Sequence, residues 1–428
     1  MTSKAAAFIP SLVAMARRLA GDSRGNALIL GAATLPLMVG AAGIGVDTLS
    51  MSLAQRHLQR TADSAALAGG HALVQNNSVT TSVNHDLALN QKVTLSKTTV
   101  ENAPSSGPFA GNADAVRVTV ESPRRTPFYS FFTKTTPTMR AQATAAVVFT
   151  GNFCMVSLEE GNTTGITFTG NTTLDLGCGV ATNAKAATAV SGSGSAVVNA
   201  NPIAAVGGVP ASTAYPSGTK LLPFSPKQPD PFSKLPKPQV PTTCNSQLIV
   251  PKSGGTVEEN SSGIYCFQGM DIKGPVTLPK GTYYIDGGKV DLGPHGHLSG
   301  SEVTIILTSK TADTNPSSVA QLSLHGSAQM NLTSPTSGTY KGVLFYQDPR
   351  APLNNSVVIN GNTSTSFEGG FYFPRANMTF NGNTGMRTEC MQLVALRLVF
   401  SGNSKVTNTC PATAGGKSFD AVFVRLVA

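Results

Sequence analysis

Residues 27–46 read ALILGAATLPLMVGAAGIGV and contain no charged side chain. A helix of twenty residues extends about 30 Å, enough to cross the hydrocarbon core of a bilayer. The stretch therefore predicts a transmembrane helix. Two alternatives stay open: a cleaved secretory signal, whose apolar core is usually shorter, and a buried helix of a soluble domain, because Pro36 and four glycines moderate the hydrophobicity.

Charged residues flank this stretch on both sides. Arg17, Arg18 and Arg24 precede it, and Asp47 follows it. Basic flanks of membrane helices stay in the cytoplasm. We therefore predict a single-pass inner-membrane protein of a bacterium, with residues 1–26 as a basic cytoplasmic N-terminus and the bulk of the chain in the periplasm or at the surface.

The helical pattern continues beyond Asp47. Apolar residues recur at three- and four-residue intervals, which predicts an amphipathic stripe, at Leu49, Leu53, Leu58, Ala62, Ala65 and Ala66. The pair Gly69–Gly70 is a typical stop signal. The sequence thus predicts one helix over residues 27–70 that emerges from the membrane.

Residues 24–70 closely resemble the N-terminal domain of TadG-like proteins of the tight-adherence (Flp) pilus systems. The resemblance rests on an Arg-Gly pair before the apolar helix, an Asp after it, and an Arg…Leu-Gln…Ala-Asp…Ala-Ala-Leu-Ala signature. The matching positions are Arg24, Gly25, Asp47, Arg56, Leu58, Gln59, Ala62, Asp63, Ala65, Ala66, Leu67 and Ala68. Thr61 and Ser64 depart mildly from the pattern. The resemblance implies a role in pilus assembly rather than a chemical reaction.

The remaining composition is typical of a turn-rich β-protein. Only 12% of residues are charged, Gly numbers 43 and Trp is absent. Short β-prone runs alternate with Gly-Asn pairs, at positions 151, 161, 170, 361, 382 and 402. Recurrent short strands with polar turns indicate a stacked repeat. We predict a mainly β region that forms a right-handed parallel β-helix, with a β-sandwich as the alternative because the repeat length is irregular.

Composition shifts divide the chain after the helix. An aromatic cluster at Phe128, Tyr129, Phe131 and Phe132 is expected to be core of a small α+β unit. Eight prolines in residues 216–241 favour extended polyproline conformation and exclude a central strand. The predicted segments are the α+β unit at 71–150, a first solenoid part at 151–215, a Pro-rich strap at 216–241 and the main solenoid at 242–428.

Six cysteines all follow residue 150, and their even number predicts disulfides in an oxidising compartment: Cys154, Cys178, Cys244, Cys266, Cys390 and Cys410. Fifteen connectivities are possible. Pairing of sequence neighbours is the most economical, because it closes loops of similar length. No CxxC frame supports a zinc site.

No catalytic, cofactor or metal site is expected. The acidic residues of the β region show no recognisable catalytic pattern. The acids considered are Asp175, Asp271, Asp286, Asp291, Asp313, Asp348 and Glu368. His295 and His297 share one face of a strand, with His325 further along, but no HExxH frame accompanies them. The Lys and Arg residues that give the net charge of +9 are scattered along the sequence, so no nucleic-acid-binding surface is expected.

The sequence therefore predicts a membrane-anchored scaffold or interaction protein, not an enzyme. Its expected partners are the inner membrane and other Tad/Flp assembly components, with peptidoglycan or surface glycans as further candidates and no nucleic acid. A membrane-tethered carbohydrate-binding or carbohydrate-active β-helix is the alternative, and a non-catalytic adhesin is a third.

Overall fold

The computed structural model describes residues 23–90, 92–361, 365–382, 385–409 and 419–427. The chain separates into two compact units. Unit 1 comprises Met1–Val147 with Val424–Ala428, and unit 2 comprises Val148–Phe423.

Unit 1 packs two helices against an antiparallel sheet, and a short third helix packs on the first of them. Its helices are α1 (Ser23–Val74), α2 (Val79–Asn90) and α3 (Pro127–Thr133). Its strands are β1 (Lys97–Asn102), β2 (Ala115–Pro123) and the first part of β3 (Thr138–Ser157), with β2 in the centre.

The predicted N-terminal helix is confirmed, but its end is not where the glycines suggested. α1 continues through Gly69 and Gly70 to Val74. A Cβ at Gly69 would lie 2.8 Å from Cγ1 of Val116, and one at Gly70 would lie 2.5 Å from Cγ1 of Val424. The two glycines therefore serve close packing against neighbouring side chains instead of terminating the helix.

The buried face of α1 is built from small residues. Leu58, Ala62, Ala65 and Ala66 have no exposed surface and share a core with α2 and the sheet, whose buried side chains include Val116, Val118, Val120, Ala141, Ala143 and Ala145. Alanine facing alanine lets the helix approach the strands closely. The predicted stripe is wrong at Leu49 and Leu53, which are 63% and 48% exposed. The buried stripe starts at Ala54.

Unit 2 is made of short strands. Up to residue 222 the strands are β4 (Ile166–Phe168), β5 (Thr173–Asp175), β6 (Gly179–Thr182), β7 (Val190–Gly192), β8 (Val197–Asn199), β9 (Ile203–Ala205) and β10 (Leu221–Leu222).

After the Pro-rich segment the strands are β11 (Leu248–Val250), β12 (Ile264–Phe267), β13 (Met270–Ile272), β14 (Pro275–Leu278), β15 (Gly281–Asp286), β16 (Lys289–Leu292), β17 (His297–Gly300), β18 (Val303–Thr308), β19 (Gln321–Leu324), β20 (Gln329–Thr333), β21 (Val343–Gln347), β22 (Asn355–Gly361), β23 (Ser366–Gly382), β24 (Gly385–Gly402), β25 (Lys405–Thr409) and β26 (Phe419–Leu426). β3 and β26 contribute residues to both units.

These strands pair in parallel. One sheet, called here the long sheet, runs in the spatial order β12, β15, β18, β21, β23, β24, β3, β6, β9 and β10. A second row runs β14, β17, β20, β23, β24, β25, β5 and β8. A third contains β11, β13, β16 and β19, and further strands pair as β22, β23, β24, β4 and β7. The prediction of a mainly β region is confirmed, with parallel sheets.

The order of the long sheet is not the order of the chain. β24, near the end of unit 2, pairs with β3 at its beginning, so Leu393 lies beside Met155. The chain must then return from β10 at one edge of the sheet to β12 at the other. Residues 223–243, which contain most of the Pro-rich segment, make that connection.

Residues in equivalent register stack inside unit 2. The rings of Phe380, Phe400 and Phe168 follow one another at centroid distances of 5.0 and 5.5 Å. Tyr265 and Tyr283 stack at 4.4 Å on neighbouring strands. Parallel pairing in register places like side chains one strand spacing apart, and this gives the core its rows of aromatic and aliphatic residues.

Two disulfides each join a strand of the long sheet to a residue outside the strands, since Cys178 comes just before β6 and Cys244 comes just before the isolated bridge of Asn245 with Phe267. Cys154 is bonded to Cys178, and Cys244 is bonded to Cys266. Both bonds fit the expected pairing of sequence neighbours. The third expected pair involves Cys410, which lies outside the described residues.

Candidate functional site

Asp47, the acidic residue of the sequence motif, lies buried between α1 and α3. Its Oδ2 accepts hydrogen bonds from the backbone N–H groups of Phe128 (3.1 Å) and Tyr129 (2.7 Å). A carboxylate at the N-terminal turn of a helix satisfies donors that have no partner within the helix. Asp47 therefore fixes α3 to the point of α1 where the uncharged stretch ends. Its partner, 81 residues away, could not be read from the sequence.

Gln59, a second motif residue, ties α1 to the outer edge of β3. Its Nε2 donates to the carbonyl oxygen of Gln142 (3.0 Å), and Nε2 of Gln55 donates to that of Arg140 (2.9 Å). Four helical residues rise about 6.0 Å and two strand residues about 6.8 Å, so the two glutamines match alternate carbonyls. They satisfy acceptors on an edge strand that would otherwise be open to pairing.

The other motif residues have structural or exposed positions. Oδ1 of Asp63 accepts a hydrogen bond from Gln59 (2.8 Å), which orients that amide. Arg56 is exposed on α1, and Arg24 and Gly25 lie in the first turn of the same helix. The motif thus combines docking of α3, docking of β3 and an alanine-rich packing face.

Three side chains of the aromatic cluster around α3 are not core, so the prediction is wrong for them, and the side chain of Phe132 lies outside the described residues. Phe131 is 79% exposed, Tyr129 52% and Phe128 36%. With α1 these side chains line an apolar groove of about 860 Å³, whose α1 wall includes Pro36, Val39, Gly40, Ile44, Thr48 and Met51. The three side chains are exposed because α3 packs against the uncharged part of α1 and away from the sheet.

Gly43 makes this packing possible. A Cβ at Gly43 would lie 2.3 Å from Cδ1 of Phe128, so only glycine lets the ring rest directly on the helix backbone. The close neighbour of the helix at Gly43 is therefore an aromatic ring of the same unit.

Among the described residues, one helix is long and apolar enough to cross a membrane, over Leu30–Val74. Only 17% of its most apolar window is buried within the protein. Its large side chains point outward, as at Leu30, Leu35, Leu37, Met38, Val39 and Ile44. Such a continuous apolar surface requires a cover of lipid or protein.

In unit 2, the strap (residues 223–243) is held on the outer face of the long sheet. Gln228 and Asn183, both buried, exchange two backbone-to-side-chain hydrogen bonds of 2.9 and 2.8 Å. Further along, Oδ2 of Asp230 accepts from the hydroxyl of Tyr372 (2.8 Å), and the ring of Phe232 packs edge-on against Tyr372.

The strap then crosses the sheet strand by strand. The carbonyl of Pro236 accepts from Tyr346 on β21 (3.5 Å), and that of Thr242 accepts from Lys310, which follows β18 (3.0 Å). Asn245 ends the crossing beside Phe267 of β12. Burial raises the pKa of the Tyr346 and Tyr372 hydroxyls. It also raises the pKa of the Asp230 carboxyl, and this effect exceeds the opposite effect of the hydrogen bonds from Phe232 and Tyr372. The two tyrosine hydroxyls therefore stay protonated and donate their hydrogen bonds to the strap.

Several carboxylates considered in the sequence hold local structure. Asp348 is buried, and although burial opposes ionisation, hydrogen bonds from Arg350 and Thr308 lower its pKa. Oδ1 of Asp286 accepts from the N–H of Lys310 (2.8 Å).

Asp271 and Asp291 lie side by side on β13 and β16, and Lys273 is 2.8 Å from Asp271. Asp271 is therefore paired with a lysine on its own side of the sheet, and the charge of Lys273 also attracts Asp291, an arrangement that serves stability.

The histidines also have local positions. Nε2 of His297 is 3.1 Å from Nδ2 of Asn331, Nδ1 of His325 accepts from the N–H of Ser327 (3.3 Å), and His295 is exposed in a turn. Within the described part of the chain, no three His, Cys, Asp or Glu side chains are grouped to hold a metal ion.

Comparison with known protein families gives a match at the N-terminal helix. No curated protein matches the chain. Residues 25–72 match the model of the putative Flp pilus-assembly TadE/G-like family, which ends two residues before α1 does. The predicted TadG-like N-terminal domain is therefore confirmed over residues 25–72, the segment that carries both the apolar span and the buried alanine face.

Proposed function

We propose that this protein is a membrane-anchored component associated with Flp pilus assembly, and that it acts as a scaffold through unit 2. The observation that carries the proposal is the coincidence of the TadE/G-like match with α1, the helix whose apolar surface is uncovered. The anchor and the family motif are then one continuous element.

The same proposal places unit 2 outside the cytoplasm. The arginines at positions 17, 18 and 24 precede the span and favour a cytoplasmic N-terminus. The disulfides Cys154–Cys178 and Cys244–Cys266 are in keeping with an oxidising compartment on the other side.

We further propose that the parallel rows of unit 2 are the faces of a right-handed β-helix, with β3 to β10 and β11 to β25 forming its coils and residues 223–243 its strap. The strap begins later than the sequence predicted because β10, within 216–241, pairs with β9. The long strands β23 and β24 support this β-helix, because each pairs in more than one row as it passes from face to face. Such a body presents a rigid surface to partners. The carboxylates that hold the fold favour scaffolding over a carbohydrate-active role.

Topology can be tested with reporters fused after residue 22 and after Ala428. We expect alkaline phosphatase to be active only in the C-terminal fusion and a green fluorescent protein only in the N-terminal one. Recovery of the chain as a soluble cytoplasmic protein with reduced thiols would contradict the proposal.

Association with the pilus machinery requires a separate measurement. Affinity capture of the full chain from cells that express the assembly apparatus should recover its components. A matched chain that keeps residues 27–46 but carries an unrelated helix at 47–72 should stay in the membrane and lose them. Equal recovery by both chains would show that the TadE/G-like segment is not the determinant.

A further inference from the structure

The loop that contains α3 projects aromatic side chains beside the uncharged part of α1. This α3 loop (residues 124–137) is closed at its base by a hydrogen bond from the N–H of Arg124 to the carbonyl of Pro137 (2.9 Å). At its far end Lys134 takes the left-handed conformation and its N–H donates to Ser130. The α3 loop therefore has a defined conformation, and the exposure of Phe131 is a consequence of that conformation.

The height of α3 along α1 is fixed by Asp47. This residue is the first charge after the 20-residue uncharged stretch, and it binds the first turn of α3. The groove between α3 and α1 extends from Met51 to Pro36, a distance of about 22 Å along a helix. It therefore descends from one turn above Asp47 to about three turns below it, where the wall is wholly apolar.

Charges surround the apolar surface in the pattern of a membrane-interface element. Arg124 and Arg125 precede α3 and Lys134 follows it, and all three are exposed. Aromatic side chains concentrate at the boundary between hydrocarbon and headgroups, and exposed cations beside them attract anionic lipid phosphates.

We propose that the α3 loop is inserted into the membrane leaflet next to Asp47, with Phe128, Tyr129 and Phe131 at the level of the upper acyl chains. The groove against α1 holds an acyl chain of a phospholipid, and Arg124, Arg125 and Lys134 face its headgroup layer. This inference rests on the membrane anchorage proposed above and adds a second contact with the bilayer, which fixes how far α1 protrudes.

The absence of tryptophan from the sequence gives a direct test. Phe131→Trp in the full chain, reconstituted in nanodiscs, would carry the only indole of the protein. We expect brominated acyl chains to quench its fluorescence. The extent of quenching should be within about twofold of that of a tryptophan buried in the membrane. The positive control is Leu37→Trp, at an exposed position within the span, and the background control is Phe224→Trp, whose parent side chain is 77% exposed, nearly as much as Phe131.

The outcomes separate the two proposals. Quenching of Leu37→Trp and Phe131→Trp, with Phe224→Trp at background, supports insertion of the α3 loop. Quenching of Leu37→Trp alone overturns it while the anchor stands, and means that solvent or protein covers Phe131. Lack of quenching at Leu37→Trp overturns the anchor itself.

Gly43→Leu tests the groove independently. The added side chain would occupy the space of the Phe128 ring and displace α3 from α1. In a Phe131→Trp background we expect the dependence of quenching on depth to shift toward the headgroups. The control is Gly45→Leu, at an exposed glycine of α1 that does not line the groove and has no atom within 4 Å of its Cβ, and it should leave the ring of Phe128 in place. An unchanged depth in Gly43→Leu would refute the seating of α3.

Discussion

Removal of the Asp47 carboxylate should release the α3 loop. The side chain accepts two backbone hydrogen bonds, from Phe128 and Tyr129, and is only 5% exposed. Hydrogen bonds to a charged group each contribute about 1.5–3 kcal/mol, and loss of a helix cap typically costs about 1 kcal/mol. Because both bonds end on Oδ2 and together cap one short helix, we do not add them and adopt the upper value for a cap, about 2 kcal/mol, which raises the population of the opened loop about 30-fold.

Limited trypsin digestion measures this population. Arg125 and Lys134 are exposed on either side of α3, and cleavage there requires local opening, so its rate follows the open fraction when closure is fast. We expect Asp47→Ala to accelerate cleavage at these two sites about 30-fold, and Asp47→Asn, which keeps an oxygen acceptor without the charge, to show a smaller increase.

The matched control is Asp114→Ala, which removes an exposed acid of the same unit at the opposite end of β2 from the α3 loop. It should leave the cleavage rate at Arg125 and Lys134 unchanged. An increase below about threefold in Asp47→Ala would mean that packing of the Phe128 ring holds the loop and that the carboxylate contributes little.

Three further predictions concern the packing face of α1, its contacts with β3 and the strap of unit 2. Ala65→Leu should destabilise unit 1 by about 1–3 kcal/mol through overpacking, whereas Ala68→Leu, at a partly exposed position on the same helix, should cost less, both measured by denaturant unfolding of the membrane-inserted chain. Loss of both edge contacts in Gln55→Ala with Gln59→Ala should cost about 1–2 kcal/mol in the same assay, and no change would show that water replaces the amides equally well. The pKa of Asp230 is raised mainly by burial, so its stabilising contribution is present below the ordinary pKa of 3.8 and is lost as pH rises through the higher folded value. Asp230→Asn should therefore remove this loss and make the unfolding free energy of unit 2 less dependent on pH over that window, and an unchanged pH profile would contradict the assignment.

The sequence was informative wherever a feature is local. The uncharged stretch, the helix that follows it and the motif up to Gly70 are runs of neighbouring residues, and all were recognisable. Strand-rich repeats with polar turns indicated parallel stacking for the same reason. The pairs Cys154–Cys178 and Cys244–Cys266 could be predicted because each joins two cysteines that are neighbours in the sequence, 24 and 22 residues apart.

Contacts between distant residues could not be predicted. Periodicity places Asp47 at the end of a span but says nothing of α3, and so Phe131 was assigned to the core. Likewise the pairing of β24 with β3 joins residues up to 239 positions apart, a relationship with no local signature. Such contacts depend on which surfaces remain uncovered after local elements form.

The pairing of β24 with β3 explains why unit 2 requires a proline-rich strap. The ten strands of the long sheet span nine intervals of about 4.8 Å, or about 43 Å, between β10 and β12. The 21 residues from 223 to 243 reach about 65 Å in polyproline conformation, which leaves length for the detour over Tyr372 and Tyr346. Because prolines cannot donate to a ladder, the strap covers the outer face of the sheet without being able to join it as a strand. It thereby connects the two edges of the long sheet, and buries the apolar outer face that parallel stacking alone would leave open.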